Sequence, residues 1–247
     1  MGARGHRTLA RGLIGAILPV QCAGCRAWDE VLCPSCRRLA QVEPTPTLIE
    51  GARGDIPALA MGDYAGPLRR IVLTAKHSAR TDVTGFLDEA GARLGASLAR
   101  VLGVAGSPAG AGGSRQGRAS CAGGAVDVWV VPAPSSWKRR LRGRQVAMPL
   151  AFAVARVLAA SARPGVRVRV VDAVRLRVGA SSQSGKAGAQ RTVGRMGSMR
   201  ALAVPGPGVR VVAVDDVVTT GATVREMERV LGGLDAVATL CRPGLIS

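Results

Sequence analysis

The sequence predicts an α/β fold: a mostly parallel sheet flanked by helices, with a small zinc-binding knuckle at the N-terminal end. Three observations predict it. Apolar runs of strand length at residues 126–133 and 209–214 are continuous rather than alternating, as in strands buried on both faces. Segments with apolar residues three and four positions apart lie between such runs, which gives strand–helix alternation and right-handed crossovers. The 247 residues are 47% hydrophobic but only 2% aromatic, so Val, Leu, Ile and Ala must build the core, as they do between a sheet and its helices.

The elements follow in order. The first residues, MGARGHRTLARGLIGAILPVQC, resemble a signal peptide in being basic and then apolar. The apolar run 13–20 is short, Pro19 interrupts it, and no small-x-small cleavage pattern precedes the cysteines, so an amphipathic helix packed on the domain is expected instead. No run reaches the ~18 apolar residues of a membrane span, and the expected location is the cytoplasm.

Four cysteines come next, Cys22, Cys25, Cys33 and Cys36, spaced C-x2-C-x7-C-x2-C. Two such turns aim four thiolates at one point, and Zn²⁺ accepts four sulfurs tetrahedrally. Gly24 and Pro34 stand inside the two turns, where the chain bends tightly. A pair of redox dithiols is the competing reading. A closed four-sulfur site leaves no position for water, so the expected zinc is structural. Cys121 and Cys241 stand alone, and His6 and His77 are the only histidines, which argues against a Ser/His or Cys/His nucleophile system.

Residues 40–57 are polar and rich in Pro and Gly and read as a linker out of a knuckle unit at 1–44. The main domain, 58–247, opens with a short strand at 58–64 and helices at 68–76 and 83–102. Residues 105–124 form a low-complexity loop. The buried strand 126–133 leads to a helix at 148–160, and 166–177, alternating basic and apolar, reads as one strand with a wet face. Residues 179–208 are small, polar and glycine-rich. Then come the strand 209–214, a helix at 222–231 stopped by Gly232 and Gly233, and a last strand at 236–240.

The chemistry concentrates in residues 211–226, VVAVDDVVTTGATVRE. In a parallel sheet, ligands bind beyond the carboxyl ends of the strands. Asp215 and Asp216 stand at that end. Val218, Thr219, Thr220, Gly221, Ala222 and Thr223 then form a loop opening a helix, whose first amides and dipole suit a monophosphate, with Gly221 allowing close approach of the backbone. The carboxylates would repel the phosphate. They suit the hydroxyls of a neighbouring ribose, or Mg²⁺ bridging the sugar and a diphosphate. Pair and cradle together read as a phosphoribose grip. They match neither the G-x-x-x-x-G-K-[ST] triphosphate loop nor the G-x-G-x-x-G dinucleotide loop.

This stretch resembles the phosphoribosyl-pyrophosphate signature of type I phosphoribosyltransferases. The wider layout resembles the ComF/GntX family: the four-cysteine knuckle, Tyr64-x2-Pro67-Leu68-Arg69 leading to Lys76, the VVPAP strand end, Arg142-Gly143 and the final signature occur in that order over about residues 15–243. The chain departs from the family at Arg144-Gln145, where Phe-Asn is usual, at His77-Ser78-Ala79 after Lys76, and in the missing Asn of the segment after Gln183. The resemblance implies a type I phosphoribosyltransferase-like fold and transfer at C1′ of phosphoribosyl pyrophosphate, with Mg²⁺ on the departing pyrophosphate. In it Asp215 and Asp216 hold the ribose, and Lys76, Arg139, Arg140 and Arg142 are candidates for the diphosphate. It also implies an alternative, a non-catalytic accessory of DNA uptake that works with single-stranded DNA and a competence helicase. The net charge of +18 fits an anionic partner, but an arginine-rich solvated face is the stronger reading, and so few aromatics argue against base stacking, so weak, sequence-independent binding to single-stranded DNA is expected at most.

Overall fold

The computed structural model describes residues 20–78, 81–106, 125–135, 145–177 and 197–244. Its strands are β1 (Thr45–Gly51), β2 (Gly54–Asp63), β3 (Val126–Pro132), β4 (Val166–Val170), β5 (Val174–Leu176), β6 (Met199–Ala201), β7 (Arg210–Val217) and β8 (Ala236–Arg242). Its helices are α1 (Pro34–Arg37), α2 (Gly66–His77), α3 (Thr84–Val101), α4 (Ala147–Ser161) and α5 (Ala222–Leu231).

Six strands form one sheet in the order β1-β2-β8-β7-β3-β4. Every neighbouring pair is parallel except β1–β2, an antiparallel hairpin at one edge. The expected mostly parallel α/β architecture is therefore the observed one. The continuous apolar runs sit where both faces are covered. In β7, Val212 and Val214 pack into a layer with α2, α3 and α4, while Val211 and Ala213 pack into the opposite layer with α5. The period-two alternation of a strand assigns these faces.

The first layer is closed by α3 against α4, and glycines bring the two helices together. A Cβ on Gly91 would lie 2.4 Å from Ala153 Cβ, and one on Gly95 would lie 2.5 Å from the Val154 carbonyl oxygen. The knuckle shares this layer: Cys22, Ala23, Cys36 and Ala40 belong to the same buried cluster as Ile71, Phe86 and Leu150.

Several expectations need correction. The stretch 40–57 is not a linker, because it holds β1 and the start of β2. Its prolines are placed where a strand tolerates them. Pro46 lies on the edge strand, and Pro57 lies one residue before the β2–β8 ladder begins at Ala58↔Val237. The stretch 166–177 is two strands. After Val170 the chain leaves the sheet, and β5 pairs antiparallel with β6 in a separate ribbon over the α5 face. The segment 209–214 runs on to Val217, so both aspartates are strand residues, with Asp215 opposite Thr239. The segments at 66–77, 84–101, 147–161 and 222–231 are helical as expected, and Gly232 ends α5 in the left-handed conformation, φ +84°. The N-terminal amphipathic helix and most of the low-complexity loop lie outside the described residues. Among the described residues, no helix is long and apolar enough to cross a membrane.

Gly95→Ala tests the helix contact. The added methyl meets backbone rather than a movable side chain, and overpacking of this kind costs ~1–3 kcal/mol, more than the better helix propensity of Ala returns. The melting temperature should fall by about 2–4 °C per kcal/mol. An unchanged or raised melting temperature would contradict the tight α3–α4 packing.

Candidate functional site

From β3 the chain proceeds outward to β4, and from β7 it proceeds the other way to β8. The carboxyl ends of β3 and β7 therefore flank the point where the winding reverses, which is where open α/β sheets place their ligands. Ala133, just past β3, donates its N–H to the Val214 carbonyl at 2.7 Å and ties the two strand ends together. Asp215 and Asp216 follow immediately.

Strand alternation sends the two carboxylates to opposite faces. Asp215 continues the Val211–Ala213 side, toward α5. Asp216 continues the Val212–Val214 side, toward α2. The contacts agree. Asp215 lines a pocket of about 100 Å³ together with Val217, Val218, Thr219, Thr220, Gly221, Ala222, Thr223 and Val224. Asp216 instead receives the Lys76 ammonium, with Nζ 2.8 Å from Oδ1 and side chains only 16% and 15% exposed. Lys76 lies in the last turn of α2, where a cation suits the helix dipole. The two aspartates also interact locally, the Asp216 N–H donating to Asp215 Oδ1 at 2.8 Å.

The structure thus brings Asp215 and the whole 218–223 loop into one pocket and joins Lys76 to Asp216 beside it. Arg139, Arg140 and Arg142 lie outside the described residues. The loop amides are arranged as a helix start requires. Arg225 N–H is the first to bond within the helix, to the Gly221 carbonyl at 2.9 Å, so the three preceding amides have no acceptor within the helix. Thr220 Oγ1 accepts from Ala222 N–H at a long 3.4 Å. Gly221 is needed for a reason other than the one expected. Its φ of +69° suits glycine, and a Cβ there would lie 3.0 Å from Arg225 Nη1 and 3.1 Å from Ile49 Cγ2, behind the loop.

Beneath the pair, burial pushes the Cys241 thiol up to about 12, the Asp216 carboxylate adding to the effect and Lys76 opposing it. Cys241 is therefore a neutral packing residue at ordinary pH.

The four knuckle sulfurs lie within 4.8 Å of one another, with Cys25 and Cys33 3.5 Å apart. Tetrahedral zinc with bonds of about 2.3 Å sets its sulfurs about 3.8 Å apart, so the donor set fits the ion. Burial pushes the Cys22 thiol up, but amide hydrogen bonds from Cys33, Cys25 and Gly24 outweigh it and bring it down to about 6. Burial, and then hydrogen bonding among the sulfurs of Cys22, Cys33 and Cys25, hold the Cys36 thiol well above its ordinary range. Four sulfurs this close can all be thiolates only around a cation. Gly24 is required by crowding, since a Cβ there would lie 2.5 Å from Cys36 Sγ. Arg70 of α2 donates to the Gly24 carbonyl and fastens the knuckle to the helix that carries Lys76.

Three residues that sequence reasoning passed over shape the site. Arg225 donates from Nη2 to the Thr220 carbonyl at 2.6 Å. Glu228 accepts from Ala52 N–H at 2.8 Å and Arg53 N–H at 3.3 Å, pinning the β1–β2 turn. Arg70 anchors the knuckle. Only Arg225 left a trace in the sequence, as a cation near a helix start that has no acid in its first turn.

No protein-family model matches the chain, and no curated protein matches it.

Elemental analysis of purified protein should find about one zinc per chain. Cys33→Ser should lower that content and lower the melting temperature, since loss of one ligand opens the site. Full occupancy in the variant would show that the four sulfurs do not form one site.

Proposed function

We propose that this chain is a phosphoribosyltransferase-type protein that binds phosphoribosyl pyrophosphate and transfers its phosphoribosyl group at C1′, releasing pyrophosphate. The observation that carries the reading is the shared pocket: a strand-end carboxylate and a threonine-rich helix start face one small space at the point where the sheet reverses its winding. Amides and threonine hydroxyls of the 219–223 segment take the 5′-phosphate, while the Val218 N–H, bonded to the Cys241 carbonyl at 2.9 Å, anchors the loop to β8. Asp215 accepts from a ribose hydroxyl.

Asp216 and Lys76 form the second half of the grip. In the absence of ligand each neutralises the other, which spares both the cost of an unpaired, largely buried charge. When the ligand arrives, the ammonium turns to the diphosphate and the carboxylate is released to the sugar. The C1′–oxygen bond breaks with its electron pair leaving on pyrophosphate, an incoming nucleophile bonds to C1′, and the carboxylates stabilise the positive charge that develops on the ring. Mg²⁺ bound with the diphosphate would supply neutralisation of the charge that develops on the leaving pyrophosphate. Asp215, which lines the pocket, would be the residue to hold that ion. Binding without turnover, as in an accessory of DNA uptake, uses the same site, and a pyrophosphate-release screen over nucleobases separates the two.

Calorimetry with phosphoribosyl pyrophosphate and Mg²⁺ tests the reading. Asp215→Asn with Asp216→Asn removes charge-assisted acceptors worth ~1.5–3 kcal/mol each, so affinity should fall roughly tenfold to hundredfold or more. Asp215→Asn alone should weaken binding more than Asp216→Asn alone. A double variant that binds as well as wild type removes the grip.

A further inference from the structure

We propose that Arg225 is the positioning residue of the phosphate loop: from behind the loop it fixes the direction of the Gly221 amide and so sets the donor that a phosphate group meets. The inference rests on the phosphoribose reading above and adds a residue to that site.

A charge in an unfavourable place points to it. The start of a helix carries partial positive charge and favours acids, yet α5 has no acid in its first turn and places Arg225 directly after it. The guanidinium is directed at backbone carbonyls. Nη2 donates to the Thr220 carbonyl at 2.6 Å, and Nη1 lies 3.4 Å from the Glu50 carbonyl of β1. The lining of the pocket extends from Asp215 to Val224 and does not include Arg225, so the arginine grips the loop from outside.

Peptide geometry carries the rest. In a trans peptide the carbonyl of one residue and the N–H of the next point in opposite directions. Among the described residues there is no cis peptide. Drawing the Thr220 carbonyl toward Arg225 therefore turns the Gly221 N–H away from Arg225, toward the pocket that Thr220 and Gly221 line. The left-handed backbone at Gly221, φ +69°, is the bend that permits this.

The grip has a fixed base. The Arg225 N–H is bonded to the Gly221 carbonyl. One turn further on, Glu228 holds the amides of Ala52 and Arg53, which locks the β1–β2 turn, and with it Glu50, onto α5. The edge hairpin is thus a buttress for the loop. An arginine suits this work because its donors are fixed in one plane, whereas a lysine offers a comparable charge without the fork.

The test titrates ribose 5-phosphate into wild type, Arg225→Met and Arg225→Lys by calorimetry, with a melting curve for each. Arg225→Met should weaken binding by about tenfold or more, and Arg225→Lys should recover only part of that loss. In ¹⁵N-labelled wild type, the Gly221 amide resonance should shift on adding ribose 5-phosphate, and the shift should shrink in both variants. Should Arg225→Met not fold, the comparison of Arg225→Lys with wild type decides. Binding by Arg225→Met within about twofold of wild type, or by Arg225→Lys equal to wild type, overturns the positioning role and leaves the phosphoribose reading standing. Wild type that does not bind ribose 5-phosphate overturns both.

Discussion

Strand β7 lies inside the sheet, between β8 and β3, with helices over both faces, and that confinement governs what it can carry. From Val211 to Val214 each side chain meets a packed layer, and these four residues are buried in turn on alternate faces. A carboxylate anywhere in that stretch would be buried without water. Past the exposed Arg210 at the amino end, the next position where the strand can carry charge is the carboxyl end, where the layers open. Asp215 and Asp216 occupy it, and the alternation that organised the core then divides them between the faces. Their separation follows from the strand, without any special local conformation.

That division gives the two acids different surroundings. One looks into a pocket walled by threonines and small residues. The other is paired with a lysine at the end of a helix that the cysteine knuckle holds in place through Arg70 and Gly24. The knuckle, α2, Lys76 and Asp216 form a continuous chain of contacts from one end of the sequence to the other. A four-cysteine cluster that could hold a metal ion thereby contributes to the geometry of a carboxylate nearly two hundred residues away.

Much of this was legible in the sequence, and the reasons differ by element. The helices at 84–101 and 222–231 have long apolar periodicity with clear ends, and the buried strands are continuous apolar runs of the right length. The cysteine spacing defined its own geometry. The hairpin was not legible because Pro46, Pro57 and four nearby glycines or threonines resemble a linker. Which proline tolerates a strand depends on where the neighbouring ladder starts, and only the sheet order reveals that. The split at Val170 was hidden because VRVRV and VRL share one alternating pattern across a bend. The Lys76–Asp216 pair joins residues far apart in the chain, and Arg225 bonds to backbone carbonyls, so its only mark in the sequence was a cation near a helix start. The acid pair and threonine loop were visible as a motif, while their assignment to separate faces needed the register.

The sheet order also has a consequence for how the chain reaches its form during synthesis. Strand β2 is complete by residue 63, yet its parallel neighbour is β8, with Ala58 opposite Val237. Strand β7 needs the same neighbour on its other side. Without β8 the pairing of the sheet falls into two parts, the β1–β2 hairpin on one side and β4, β3 and β7 on the other. The slot between them fills only when the last strand arrives. β8 is therefore the keystone of the sheet, its seven residues almost wholly buried, and a chain lacking it would leave β2 and β7 each with an open edge, the kind of exposed strand that favours aggregation.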